Sequence, residues 1–320
     1  MIFSKGIDQY ALRCLHKTRS KNYQYSSLPI FKVFDRDQFY RAHSIDVTFS
    51  LSERDDYRSG TFESKSLIST GYPTNDKVIG EAFVNKKENV PNLIFVHGWR
   101  QDSFERMRNI FHDRLKSETD GNLYYFTLPY HFQRKPVESL FSGEYMISAD
   151  VSRTLQAVQQ AVVDLRAFIH WIKTHKKGPV ILIGLSLGGF ITNLTATLEP
   201  KIDALVSIFY SNRLSYSIWK TNPGIYIRAD LEQHGVTYED LVNYWQITEP
   251  SLSRPKVNKE NILLISAKHD QYVDIEDANY LWESWERPTR YLYNCGHAGI
   301  VLKRRKIAED TLAFLHTKIK

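Results

Sequence analysis

The sequence predicts an α/β protein: a mostly parallel central sheet with helices on both faces. Three observations carry that prediction. Short apolar runs rich in β-branched residues recur along the chain at Leu93–Val96, Val180–Ile183, Ala204–Phe209 and Ile262–Ser266. Runs of this kind suit strands buried on both faces. Between two of them, Val158, Val162, Leu165, Ile169 and Ile172 repeat at helical spacing, which gives a helix one apolar face. The run Val180–Ile183 then passes directly into Gly184-Leu185-Ser186-Leu187-Gly188, a sharp strand-to-helix turn. Alternating strands and helices build a parallel sheet covered on both sides.

At 320 residues the chain has the length for one large α/β domain or two smaller ones, with a sizeable core. With 42% hydrophobic and 24% charged residues the composition is that of a folded globular protein, not a disordered one. The formal net charge of +6 is mild for this length, and its basic residues are scattered apart from Lys303–Lys306. No nucleic-acid module is visible, and a basic helix face is ordinarily solvated. Two distant cysteines, Cys14 and Cys295, make neither a disulfide framework nor a metal site. The chain starts without the apolar segment of a signal peptide, and no stretch is apolar enough to span a bilayer. The expectation is a cytoplasmic protein with no metal and no organic cofactor.

Residues 1–45 are mixed and polar, with a short helix expected over Asp8–His16. Ile45, Val47, Phe49 and Leu51 alternate as a half-buried strand does, and Ser66–Thr70 and Lys77–Val84 read as two more. Residues 1–90 are therefore expected to be an N-terminal extension with leading antiparallel strands. A helix is expected over Phe104–Lys116, a strand over Leu123–Leu128, and the long helix is capped by Asp150 or Ser152 and stopped at Gly178-Pro179. Residues 212–258 break the rhythm. They are rich in Tyr and Trp and too long for a simple connection, which points to a lid or cap. The core resumes with the strand Ile262–Ser266, a helix over Asp277–Trp285, the strand Tyr291–Tyr293 and a last helix carrying Ala308, Leu312, Leu315 and Ile319 on one face.

In a sheet of this kind ligands bind beyond the carboxyl ends of the strands. Ser186 lies at one such end, His97-Gly98-Trp99 at another, Asp270 at a third and His297 at a fourth. A serine hydroxyl attacks well only when a base accepts its proton, and a histidine does so near neutral pH. His297 is the candidate base and general acid. Asp270 is the candidate that fixes its tautomer. Asp274 and Asp277 lie nearby, but their spacing suits the N-terminus of the next helix. Backbone N–H groups of Leu187 and Trp99 are the candidate oxyanion donors. His97 is read as a brace for that turn. His131, His175, His234 and His269 have no comparable placement. Taken singly, each such residue is more often a cap, a turn or a packing side chain; together, in the order Ser, Asp, His, they point to nucleophilic catalysis.

These motifs resemble the α/β-hydrolase superfamily from about Pro91 to Lys320. Pro129–Pro136 is similar to the corresponding loop of a branch grouped under a domain of unknown function. The resemblance implies a single domain over 1–320 with an eight-stranded, mostly parallel sheet and a cap, at 212–258, inserted after the sixth strand. It also implies a serine hydrolase of the esterase or lipase kind, cleaving a carboxylic ester or thioester through Ser186, Asp270 and His297. The chain departs from multi-glycine lipases in having Trp99 after Gly98. Substrate contacts are expected from Tyr130, Arg134, Tyr216 and Trp219, with Arg134 or Lys135 meeting an anionic group. Two other readings stand beside this one: acyl transfer on the same three residues, and a silent binding protein on a hydrolase scaffold.

Overall fold

The computed structural model describes residues 2–19, 24–28 and 35–318. The elements begin with α1 (Ile2–Lys17), α2 (Arg36–Phe39), β1 (Thr48–Arg54), β2 (Tyr57–Lys65), β3 (Lys77–Asn85), β4 (Asn92–Val96), α3 (Glu105–Thr119), β5 (Asn122–Phe126) and α4 (Val151–His175). They continue with β6 (Val180–Leu185), α5 (Leu187–Ala196), β7 (Ala204–Ile208), α6 (Leu214–Lys220), α7 (Ile225–Gln233) and α8 (Tyr238–Trp245). The chain closes with β8 (Ile262–Ala267), α9 (Ile275–Ser284), β9 (Thr289–Tyr293) and α10 (Ile300–His316).

Among the described residues nine strands form one sheet, in the order β1-β2-β3-β5-β4-β6-β7-β8-β9. The pairs β1–β2, β2–β3 and β3–β5 are antiparallel, and from β5 to β9 all pairs are parallel. The apolar runs become the central parallel strands because each feeds two faces. Leu93 and Phe95 of β4 pack among residues of α3 and α10, while Ile94 and Val96 pack among residues of α4 and α5. Side chains alternate across a strand, so a strand between two helix layers must be apolar throughout.

The eight strands implied by family resemblance become nine. One of the nine, β2, stands in place of the strand expected over Ser66–Thr70; it escaped the sequence reading because Tyr57–Lys65 is half polar and owes its register to β1 and β3 on either side. The strand expected over Ser66–Thr70 is instead a turn. Ser66 Oγ and Leu67 N donate to Asp164, and Thr70 N and Oγ1 donate to Asp76, so these side chains compete with a ladder for the backbone. The cap of α4 is Asp150, which accepts from Arg153 N at 2.9 Å. The first helix is longer than Asp8–His16 and spans Ile2–Lys17.

Residues 212–258 leave β7 as α6, α7 and α8 joined by short turns. They are tied at both ends. Asn212 N and Arg213 N donate to Asp277 of α9, and Arg213 Nε pairs with the same carboxylate at 2.7 Å. Trp245, fully buried, donates from Nε1 to Val151 O at 3.1 Å. Among the described residues, no helix is long and apolar enough to cross a membrane.

Candidate active site

The site begins at the turn between β6 and α5. Ser186 adopts φ 56° and ψ −114°, a left-handed conformation that non-glycine residues rarely hold. Its neighbours must yield space for that turn. A Cβ on Gly184 would come within 2.3 Å of Thr192 Oγ1, and one on Gly188 within 2.0 Å of Val96 O. Both are far below contact distance, so glycine two residues before and after the serine is a packing requirement.

His297, after β9, places Nε2 3.0 Å from Ser186 Oγ. Its Nδ1 lies 2.7 Å from Asp270 Oδ2, on the turn after β8. The other carboxylate oxygen, Oδ1, accepts from Tyr272 N and Val273 N, both at 2.8 Å. With Asp270 ionised, Nδ1–H donates to it, and Nε2 is left to accept the Ser186 hydroxyl. Tyr272 stacks on the imidazole at 4.7 Å between centroids, and Phe209 lies against it at 5.9 Å. Asp274 and Asp277 are otherwise engaged. Asp274 caps α9 by accepting from Glu276 N, and Asp277, in the first turn of that helix, also holds Arg213 and Asn212.

Across the cavity, Gly98 sits against Ser186: a Cβ there would stand 3.4 Å from Ser186 Cβ. Leu187 is the first residue of α5, where a backbone N–H has no intrahelical acceptor. The turn through Gly98, Trp99 and Arg100, with Arg100 at φ 60°, is braced by two buried histidines. His97 Nδ1 meets Gly98 O at 2.8 Å, and Nε2 accepts from Leu128 N at 3.1 Å. His131 Nδ1 meets Pro129 O at 2.8 Å, and Nε2 accepts from Arg100 N at 3.2 Å. Burial pushes His97 down to about 4 and holds His131 well below the usual histidine range, so both are neutral and each has one defined tautomer. Trp99 is pinned by Nε1 donating to Gly143 O at 2.8 Å. His131 carried no recognisable signal in the sequence, because its acceptor role depends on a residue 31 positions away.

A cavity of about 720 Å³ opens over Ser186 and His297, walled by Trp99, Leu187, Tyr272 and the first residues of α10. Helix α1 contributes Tyr10, Ala11 and Cys14, and α6 contributes Leu214, Ser217 and Ile218. A second cavity of about 430 Å³ shares Leu15, Trp99, Arg100 and Phe141 with it. Among the described residues no group of three or more His, Cys, Asp or Glu side chains is placed to hold a metal ion.

Four expected substrate contacts are not at the cavity wall. Arg134 is fully buried; it pairs with Asp164 at 3.0 Å and donates to Asn75 O and Thr127 O, so its guanidinium is satisfied inside the fold. Lys135, its neighbour, does reach the cavity, with Nζ donating to Ser139 O at 2.8 Å. Tyr130 is buried, with its N–H on Asn75 Oδ1 and its ring against Tyr72 and Tyr145. Tyr216 donates to Asp274, and Trp219 lies against Tyr238. The reason is helical phase: α6 turns 214, 217 and 218 to the cavity, and 216 and 219 point elsewhere. A sequence without helix phase information cannot distinguish these sets.

Residues 73–219 match the family model described as alpha/beta hydrolase domain containing 18. The Bacillus subtilis (strain 168) protein YdjC is 70% identical over 115 residues, covering 36% of this chain and 99% of that one. The acetyl xylan esterase from Paenibacillus sp. R4 superposes with a TM-score of 0.67 at 12% identity, over 96% of this chain and 99% of that one. The chain belongs to the α/β-hydrolase superfamily. Acetyl Xylan Esterase 1 from Thermoanaerobacterium sp. JW/SL YS485 shares the same hydrolase fold with a TM-score of 0.69 at 13% identity, covering 97% and 99%. A more distant relative, Rv2627c of Mycobacterium tuberculosis (strain ATCC 25618 / H37Rv), is 27% identical over 221 residues. The present α/β-hydrolase chain spans about half of that relative's length, 51% of it, with 67% of its own.

Proposed function

We propose that this α/β-hydrolase is a serine hydrolase that cleaves a carboxylic ester or thioester through an acyl-enzyme on Ser186. The observation that carries the reading is the continuous hydrogen-bonded chain from Ser186 Oγ through His297 to Asp270, at 3.0 and 2.7 Å, on a strained turn facing a cavity. Ser186 Oγ attacks the ester carbonyl carbon while its proton passes to His297 Nε2. The carbonyl oxygen becomes an oxyanion, held by the N–H groups of Leu187 and Trp99. As the tetrahedral species collapses, the C–O bond to the alcohol breaks, and His297 returns the proton to the departing oxygen. Water then repeats the sequence on the acyl-enzyme, with His297 taking its proton, and releases the acid and free Ser186. Asp270 holds the imidazole in the productive tautomer and stabilises the imidazolium formed twice per cycle.

The segment 212–258 acts in this reading as a cap, because α6 walls the cavity that the acyl or alcohol part occupies. A cavity of about 720 Å³ falls within the usual range for small-molecule sites and takes more than the atoms of the reacting ester. The fold neighbours include esterases and an acylaminoacyl peptidase, and oxygen esters, the more easily cleaved acyl derivatives, are the first substrates to try. The test is a panel of esters of graded acyl length, run with wild type and Ser186→Ala. The reading predicts hydrolysis by the wild type with an optimum in the series, and none above background by Ser186→Ala. Equal activity in the two proteins would refute it. Product that forms only when an acceptor alcohol or amine is added would assign acyl transfer instead.

A further inference from the structure

We propose that Asp8, on helix α1, is a positioning residue for the Ser186 site: its carboxylate locks the Asp270 turn and the His297 turn together. The inference rests on the hydrolase reading above for its kinetic consequence, but not for its geometry. Asp8 is fully buried. Its Oδ2 accepts from Gln271 N at 3.0 Å and from His297 N at 2.8 Å, and its Oδ1 accepts from Ala298 N at 2.8 Å. Gln271 follows Asp270 directly, and the second donor is the backbone of His297 itself. One carboxylate therefore bridges the two turns whose side chains must meet.

The other ties between these turns lie closer to the strands. Lys268 N donates to Tyr293 O at 2.9 Å and His269 N to Cys295 O at 3.0 Å, continuing the pairing of β8 with β9. Beyond those bonds the turns are joined by the Asp270–His297 contact itself and by Asp8, whose carboxylate spans both backbones. Position 296 fits the same account. A Cβ on Gly296 would stand 2.5 Å from Asp8 Oδ2, so the turn must be bare where the carboxylate rests. A buried carboxylate is costly unless several N–H groups meet it, and three backbone N–H groups do. Helix α1 also walls the cavity through Tyr10, Ala11 and Cys14, so one element closes the site and aligns it.

The amino-acid pattern held one clue. Asp8 lies four residues before Leu12, which is buried, so an acidic residue occupies the apolar stripe of the helix. Such a residue needs buried donors, and the sequence alone does not say where they are.

Asp8→Asn tests the proposal. Asparagine offers one carbonyl oxygen, so its amide group faces at least one of the three N–H donors, and the turns must separate. A displacement of about 1 Å between reacting groups costs on the order of 100-fold in rate. The expected result is a fall in kcat of about 30- to 100-fold with KM within about threefold. The rate of fluorophosphonate labelling at Ser186 should fall by the same factor. A low-field proton resonance is expected in the wild type from the His297 Nδ1–H···Asp270 bond, and in the variant it should be lost or shifted. A role in stability alone predicts a lower melting midpoint with kcat, labelling rate and resonance unchanged well below that midpoint, and this result overturns the proposal. Should Asp8→Asn not fold, Gly296→Ala displaces the same contact from the other side and is read by the same three measurements. A wild type that neither labels nor hydrolyses esters refutes the hydrolase reading; the resonance then still decides the role of Asp8.

Discussion

Replacing Asp270 by Asn probes the part of the account in which geometry makes the sharpest demand. In the wild type, Asp270 Oδ1 receives two backbone N–H bonds and Oδ2 receives His297 Nδ1–H. An asparagine has one oxygen for three donors. If its oxygen keeps Tyr272 N and Val273 N, its NH₂ points at His297 Nδ1. The imidazole must then accept at Nδ1 and carry its proton on Nε2, facing Ser186 Oγ, where it can no longer act as base. If the amide turns over, its NH₂ opposes two backbone N–H groups and two hydrogen bonds are lost. The first arrangement keeps more bonds and is the one expected. Turnover should therefore fall by about three to four orders of magnitude, or roughly 4–5.5 kcal/mol in the barrier, while the melting midpoint hardly moves. Asp274→Ala is the companion variant. It removes the cap of α9 and should cost about 1 kcal/mol of stability with turnover little changed. The assay is kcat on the best ester of the panel together with thermal unfolding of both variants. Turnover by Asp270→Asn within tenfold of wild type, or abolished turnover in Asp274→Ala with a normal melting midpoint, would refute the reasoning.

Other expectations follow from buried groups. Arg134→Met removes one partner of an ion pair whose side chains are 0% and 1% exposed, leaving Asp164 buried and short of a counter-charge. Unfolding free energy should drop by about 3–5 kcal/mol, and the ratio of activity on anionic and neutral esters should not change; a changed ratio with unchanged stability would place Arg134 at the substrate after all. His97 titrates near 4 in the fold against an unfolded value near 6.5, so the unfolded chain binds the extra proton first. Its contribution to stability is intact above about pH 6.5 and is lost as pH falls toward 4, by about 2 kcal/mol at pH 5. Glu249, pushed up to about 7 by burial, moves stability the opposite way over the same interval. The readout is therefore a difference: between pH 7 and pH 5, His97→Gln should lose about 2 kcal/mol less than wild type in urea unfolding, and equal losses would contradict a neutral buried His97.

What the sequence disclosed was governed by local pattern. The runs at β4, β6, β7 and β8 were legible because a strand buried on both faces must be apolar at every position, and Gly184 and Gly188 because the turn at Ser186 has no room for a Cβ. Ser186, Asp270 and His297 stood at strand ends and meet in space, so their proximity was legible too. Long-range partners were not. Arg134 read as a loop residue meeting an anionic part of the substrate, yet Asp164 and two carbonyls enclose it. Tyr216 and Trp219 read as cavity residues, but the turn of α6 presents Leu214 and Ile218 instead. Asp8 and His131 act through residues far along the chain, and local spacing carries no trace of such partners.

The central claim is that Ser186 is the nucleophile, activated by His297. Its most direct test is treatment of the intact protein with a fluorophosphonate, followed by digestion and mass spectrometry. The account predicts a single phosphonyl adduct on the peptide bearing Ser186. It also predicts that the adduct is absent in Ser186→Ala and much slower to form in His297→Ala. An unlabelled wild-type protein, or an adduct on another residue that persists in Ser186→Ala, would contradict it.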